Sequence, residues 1–218
     1  MSLHKGTLIV FEGIDGAGKS TQVRKLDHAL RQRNINTVLS REPTDSPYGR
    51  KLRQLARAGR ESARPEDEYA LFMQDRKIHV DTLVQPALAD GKTVILDRFY
   101  FSTIAYQGAL GIDPERIRRE NEAFCPIPDI VLLIDIPVTA GLARIREGRG
   151  ETPNLFEKES YLTDVARRLA ALNDACIVRI DGSGSLDDVF QRVLFHVLPL
   201  LKSPAPGLDA AAGPATPD

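Results

Sequence analysis

Residues Gly13, Ile14, Asp15, Gly16, Ala17, Gly18, Lys19, Ser20 and Thr21 satisfy the pattern G-x-x-x-x-G-K-[ST], whose chemistry is phosphate binding. Glycines let backbone N–H groups approach the phosphates, and the helix beginning near Lys19 adds the positive end of its dipole. Lys19 is placed to reach the β- and γ-phosphates and Ser20 to ligate Mg²⁺. A chain of this length matches the pattern by chance in under ~1% of cases, so ATP or GTP binding is expected over an ordinary glycine-rich turn. Asp15 is the anomaly, because it brings negative charge to a loop built for anions, with Glu12 just ahead of it. The cradle is made of backbone amides, so the Asp15 side chain is free to serve a second substrate.

Other residues extend this chemistry. Asp97 and Arg98 follow the apolar run "TVIL", at the strand end where open α/β sheets place ligands. Asp97 suits a Mg²⁺-bound water; Arg98 suits either an anion or a structural salt bridge. Arg41, in "SREP", projects at the same edge, so two arginines can clamp an acceptor phosphate. Phe72 and Arg76 are four apart and share a helix face. Together they offer a ring and a donor to one planar base, or else a core ring and a solvated cation. Arg144, Arg146 and Arg149 lie in "ARIREGRGE", as cations for charge developing on a transferring group or as a solvated turn. None of the four histidines pairs with a nucleophile in a known pattern, and they read as structural or surface residues.

These residues need a frame. "TLIVF", "NTVLSRE", "TVILDR", "DIVLLIDIP" and "CIVRID" read as strands, nearly continuous in apolar residues and separated by helical patterns. That alternation predicts a parallel sheet covered on both faces. Two helical stretches stand between "REP" and "TVILDR", where a minimal crossover needs one, and the extra helix can wall a second pocket. Residues 1–202 are expected to form a single domain and 203–218, "SPAPGLDAAAGPATPD", a disordered tail.

Composition narrows the class. At 218 residues and 42% hydrophobic content the chain can bury one good core. A net charge of -1, with acidic and basic residues alternating, gives no electrostatic case for nucleic acid or a membrane surface. Apolar runs fall well short of the roughly 20 residues that cross a bilayer. Cys125 and Cys176 are far apart, without a CxxC pair or a leader, which predicts reduced thiols in a cytoplasmic protein. No Asn-Lys-x-Asp occurs, which removes a regulatory GTPase.

Taken in order, "FEGIDGAGKSTQ", "REP", "ALFMQDRKIHV", "DRFYFSTIAYQGA" and "PDIVLLIDIP" make the chain resemble the thymidylate kinases, from about Thr7 to Leu201. The resemblance implies a P-loop NTPase three-layer α/β sandwich of nucleoside monophosphate kinase type, with a parallel five-stranded sheet flanked by helices and a lid. It implies transfer of the γ-phosphoryl group of MgATP to dTMP, giving dTDP, by a homodimer. Phe72 would stack on thymine and Arg76 bond its carbonyl edge. Ser102, Thr103 and Gln107 would line the base pocket, Tyr106 would crowd the sugar's 2′ position, and Asp15 would accept the 3′-hydroxyl. Some members carry an arginine in the phosphate loop where this chain has Gly16, so the lid must supply it, from Arg146 or Arg149. Two departures stand out: "REPTDS" where many bacterial members have two glycines after "REP", and Leu155 where an arginine often precedes the aromatic-glutamate pair, here Phe156-Glu157.

Two competitors remain open. A deoxynucleoside kinase shares the phosphate loop but needs a carboxylate base, for which Glu42 is in place. A non-catalytic nucleotide switch would bind ATP without releasing ADP.

Overall fold

Five strands form one sheet, β1 Thr7–Glu12, β2 Thr37–Arg41, β3 Thr93–Asp97, β4 Ile130–Asp135 and β5 Ile177–Asp181. In the computed structural model, which describes residues 5–58, 63–149 and 159–201, their order is β2-β3-β1-β4-β5 and every pairing is parallel. The expected tail 203–218 lies outside the described residues.

The central strands are dry. Leu8, Ile9, Val10 and Phe11 of β1 are fully buried, as are Val94, Ile95 and Leu96 of β3, matching the unbroken apolar runs. The edge strands depart from that expectation. β2 and β5 keep several half-buried or exposed positions, because each has one neighbour and a less completely covered face.

Helices α1 Lys19–Arg31, α2 Pro47–Ala58, α3 Pro65–His79 and α4 Gln85–Ala89 come before β3. After it follow α5 Tyr100–Gly108, α6 Pro114–Glu122, α7 Val138–Arg149, α8 Glu159–Ala171 and α9 Leu186–Leu201. α1 packs with α9, β2 and β3, whereas α5 packs with α3, α6 and α8, giving a helical layer on each side of the sheet. The extra helical stretch read from the sequence is α2, and α3 runs through a π-helical turn, Val80–Val84, into α4. Pro86, which has no N–H to give the preceding turn, stands just beyond that widened turn.

The register sets the ligand edge. Asp97 pairs with Phe11 on one side and with Arg41 on the other, so β1, β2 and β3 deliver Glu12, Arg41 and Asp97 to the same carboxyl end of the sheet.

Candidate active site

The phosphate loop joins β1 to α1. Gly18 caps α1 with φ 92° and no side-chain cap, leaving the helix's positive end facing the loop. Gly16, at φ 78°, lies against α7, where an added Cβ would meet the Gly141 carbonyl oxygen at 2.3 Å. Position 16 is therefore closed to any side chain, an arginine included, as long as α7 stays in place.

Lys19 is buried and folds onto the loop, donating from Nζ to the Gly13 and Ile14 carbonyls at 3.0 and 2.8 Å. Its burial and the nearby Arg98 charge lower its pKa to about 8, against the pull of Asp15, Asp97 and Glu12. An anion in the loop would add to the negative charge around this lysine and raise its pKa.

The Ser20 hydroxyl donates to Asp97 Oδ2 across 77 positions of chain. A hydroxyl and a carboxylate so placed suit Mg²⁺, which keeps several waters and takes few protein ligands. Ser20, Asp97, Arg24, Arg41, Thr44 and Asp45 share one cleft of about 460 Å³. Arg41 is exposed there, its Nη2 3.9 Å from Asp45 Oδ1. Arg24, one turn beyond Ser20 on α1, carried no sequence signal beyond that spacing.

Arg98 is the hub of the site. It holds a left-handed backbone, φ 74°, which costs about 1–3 kcal/mol for a residue with a side chain. Its backbone N–H donates to Phe11 O at 3.0 Å. The guanidinium donates from Nη1 to Ser102 Oγ at 2.8 Å, and from Nη2 to Asp15 Oδ1 at 2.7 Å and to the Tyr106 hydroxyl at 3.2 Å. Its carbon also lies 4.8 Å from the Tyr106 ring centroid, within cation–π range. Burial opposes the Arg98 charge, but Tyr106, Asp15, Glu12 and Asp97 outweigh it and hold its pKa above the usual arginine range. The Tyr106 hydroxyl in turn accepts the Asp15 backbone N–H at 3.1 Å. Arg98 thus ties the phosphate loop directly to α5.

Glu12 now has a role that its sequence position did not reveal. It is fully buried, and its Oε1 accepts the backbone N–H groups of Phe99 and Ser102 at 2.8 and 3.1 Å while Oε2 accepts the Ser102 hydroxyl. Phe99 at the start of α5 has no capping side chain of its own, so Glu12 caps that helix from β1. Burial raises the Glu12 carboxyl above its ordinary value, partly offset by Arg98 and these hydrogen bonds.

Phe72 is half-buried and lies outside the set of residues packed on the core, which leaves part of its ring for a ligand. Arg76 differs from the solvated alternative, being 1% exposed. Its Nε donates to Glu42 Oε2 at 2.8 Å and its Nη2 to Thr103 Oγ1 at 2.8 Å, while Nη1 donates to Asn121 Oδ1. Ser102, Thr103, Tyr106 and Gln107 are all buried on α5. Gln107 donates to Glu68 Oε2 at 3.2 Å, and its own Oε1 has no hydrogen-bond partner among the described residues.

Glu42 is unsuited to act as a base. Arg76 grips it, and His79 Nδ1 lies 3.0 Å from its other oxygen. Burial alone would raise this carboxyl, but Arg76 and His79 outweigh it and hold it below the ordinary range. The base that a deoxynucleoside kinase needs is thereby committed to an ion pair. His79, with Nε2 2.8 Å from Ser40 Oγ, is structural, as expected.

Arg144 on α7 donates weakly to Gly16 O at 3.5 Å and to Gly182 O at 3.4 Å, spanning the phosphate loop and the turn after β5. Arg146 is exposed on the same helix. The Arg149 side chain, and Leu155, Phe156 and Glu157, lie outside the described residues. Among the described residues, no helix is long and apolar enough to cross a membrane.

The family profile for thymidylate kinase matches residues 11–193. The chain is 45% identical over 202 residues to a thymidylate kinase of Desulfotalea psychrophila, covering 93% of this chain and 99% of that one. It is 48% identical over 189 residues to one from Akkermansia muciniphila, covering 87% and 90%. A Xanthomonas euvesicatoria thymidylate kinase matches at 47% over 187 residues, 86% and 81%.

Proposed function

The chain belongs to the thymidylate kinase family, and from that premise we propose that it transfers the γ-phosphoryl group of ATP, with Mg²⁺, to the 5′-phosphate of dTMP, giving dTDP. The observation that carries the reading is Arg98, which bonds the phosphate-loop Asp15 with one nitrogen and α5's Ser102 with the other. A donor loop and an acceptor wall joined through one cation fit transfer between two bound phosphates better than hydrolysis.

The roles follow from charge and position. Lys19 and the amides of residues 13–21 neutralise the donor phosphates, while Ser20 and Asp97 would hold the metal. Mg²⁺, when bound there, would supply charge neutralisation for the donor phosphates. Arg41 and Arg98 hold the acceptor phosphate, and Asp15 takes the sugar's 3′-hydroxyl. Phe72 stacks on the base beside Arg76, Thr103 and Gln107, with Tyr106 under the sugar. Arg146 or Arg149 covers the transferring group from the lid, and Arg144 sits against the ATP side. A monophosphate has its second pKa near 6, so it arrives as a dianion at neutral pH and needs no general base. The same proposal takes the enzyme to be a cytoplasmic homodimer acting on small nucleotides, in the supply of dTTP.

A coupled ADP-release assay across dTMP, dUMP, dGMP and thymidine tests it. The expected order is dTMP first, with dUMP weaker and thymidine inert. Turnover of thymidine with none of dTMP overturns the proposal.

A further inference from the structure

Asp75 stands beside Arg76 on α3, has no part in the roles above, and is 1% exposed. Its carboxylate faces the turn that follows β2. Oδ2 accepts the Thr44 backbone N–H at 2.8 Å, and Oδ1 accepts both the Thr44 hydroxyl, at 2.5 Å, and the Ser46 hydroxyl, at 2.6 Å. Three donors from the segment where the sequence departs from the usual glycines converge on one buried carboxylate.

The turn is fixed from other sides as well. Arg53 on α2 donates from Nη1 to Pro43 O and Thr44 O at 2.9 and 2.6 Å, and its Nη2 lies 2.5 Å from Asp45 Oδ1. Ser46 Oγ accepts the Gly49 backbone N–H at 3.0 Å. Gly49 itself is pressed so close that an added Cβ would stand 2.1 Å from Thr44 O and 2.8 Å from Asp75 Oδ1. On the near side of Pro43, Arg76 holds Glu42. Adjacent residues of α3 therefore grip the turn on both sides of Pro43, and the gripped turn carries Thr44 and Asp45 into the cleft shared with Arg41, Ser20 and Asp97.

We propose that Asp75 is a positioning residue for the acceptor phosphate, fixing the turn Pro43–Ser46 and so the placement of Arg41, in register with Arg76 next to it. The hydroxyls of Thr44 and Ser46 replace the backbone freedom of two glycines with side-chain bonds to α3. A helix that reads the base thus also sets the distance to the phosphate. The inference rests on the proposed acceptor assignment, and a displacement of about 1 Å at such a contact costs on the order of 100-fold in rate.

The test compares dTMP with thymidine, which differ by the phosphate that Arg41 is taken to hold. Calorimetric Kd values for dTMP, thymidine and ATP are measured for wild type, Asp75→Ala, Asp75→Asn and the double variant Thr44→Val with Ser46→Ala. Because Asp75→Ala risks misfolding, the double variant removes the two hydroxyl bonds from the turn side and leaves the Thr44 N–H to Oδ2 in place. Both are expected to weaken dTMP about 10- to 100-fold, as the loss of a hydrogen bond to a charged group does, while thymidine and ATP stay within about threefold. Asp75→Asn keeps one acceptor oxygen but turns an N–H donor towards the remaining donors, and is expected to fall between wild type and Asp75→Ala. Equal weakening of dTMP and thymidine would make Asp75 a brace for the whole pocket and overturn the inference, as would unchanged dTMP binding in the double variant. Wild type that binds thymidine as tightly as dTMP refutes the acceptor assignment itself, and with it this inference, before any variant is read.

Discussion

Replacing Gly16 and Gly18 separately by alanine isolates the contact between the phosphate loop and α7. Both glycines have positive φ, 78° and 92°, where an L residue loses about 1–2 kcal/mol. Their surroundings differ. A Cβ at Gly18 meets nothing within 4 Å, whereas one at Gly16 lies 2.3 Å from Gly141 O and 2.8 Å from the Gly141 Cα. Those neighbours are backbone atoms of a helix and cannot swing aside, so repacking adds about 1–3 kcal/mol. Gly16→Ala is therefore expected to lose about 2–5 kcal/mol and Gly18→Ala about 1–2 kcal/mol. In a domain of this size that corresponds to Tm falls of about 4–20 °C and about 2–8 °C respectively. Thermal unfolding without nucleotide measures both, free of any effect on phosphate binding. Equal melting of the two variants would refute the steric reasoning and reopen position 16 to an arginine.

Three further outcomes follow from the site. With its pKa near 8 in the free protein, Lys19 must be protonated to hold phosphates, and their charge raises its pKa in the complex. ATP affinity is then full below about pH 8 and falls by up to tenfold per unit as pH rises towards the bound value; a flat Kd between about pH 8 and 10, read by calorimetry, contradicts this. Phe72→Ala removes a half-buried ring outside the core set, so dTMP affinity should drop by about 1–2 kcal/mol, roughly 5- to 30-fold, with Tm nearly constant; a large Tm loss with unchanged dTMP binding returns Phe72 to the core. Glu42→Gln leaves Arg76, 1% exposed, without its counter-charge, and should cost about 3–5 kcal/mol in chemical denaturation; a cost under about 1 kcal/mol shows that the pair is not needed.

What was legible in the sequence was local. The phosphate loop, Asp97-Arg98 at a strand end and Phe72 with Arg76 on one helix face are short patterns, and each chemistry follows from spacing. The strand order β2-β3-β1-β4-β5 was not legible, because no local signal says which parallel strand lies beside which. Glu12 stayed unassigned because the amides it caps are 87 and 90 positions away. Arg76 looked divisible into reader or surface cation, and only the fold brings Glu42, Thr103 and Asn121 around it. The "REPTDS" departure reads from the sequence only as an altered loop, and its hydroxyls are taken up by Asp75, a residue of a helix 29 to 31 positions further along. Asp15 reads from the sequence as free to serve a second substrate, but its Arg98 partner emerges only from the register of β1 with β3.

Asp15 joins the phosphate loop to Arg98 and α5, the proposed meeting of donor and acceptor sites, so its replacement tests the account most directly. Asp15→Ala removes a carboxylate from the Arg98 pair, whose side chains are 17% and 25% exposed, while the backbone cradle and Lys19 remain. Initial rates over dTMP, with ATP binding measured on the same preparation, are expected to show kcat/KM for dTMP reduced by about 100-fold or more and the ATP Kd changed by less than about threefold. Equal losses in dTMP turnover and ATP binding would contradict the claim that one loop serves both substrates through separate groups.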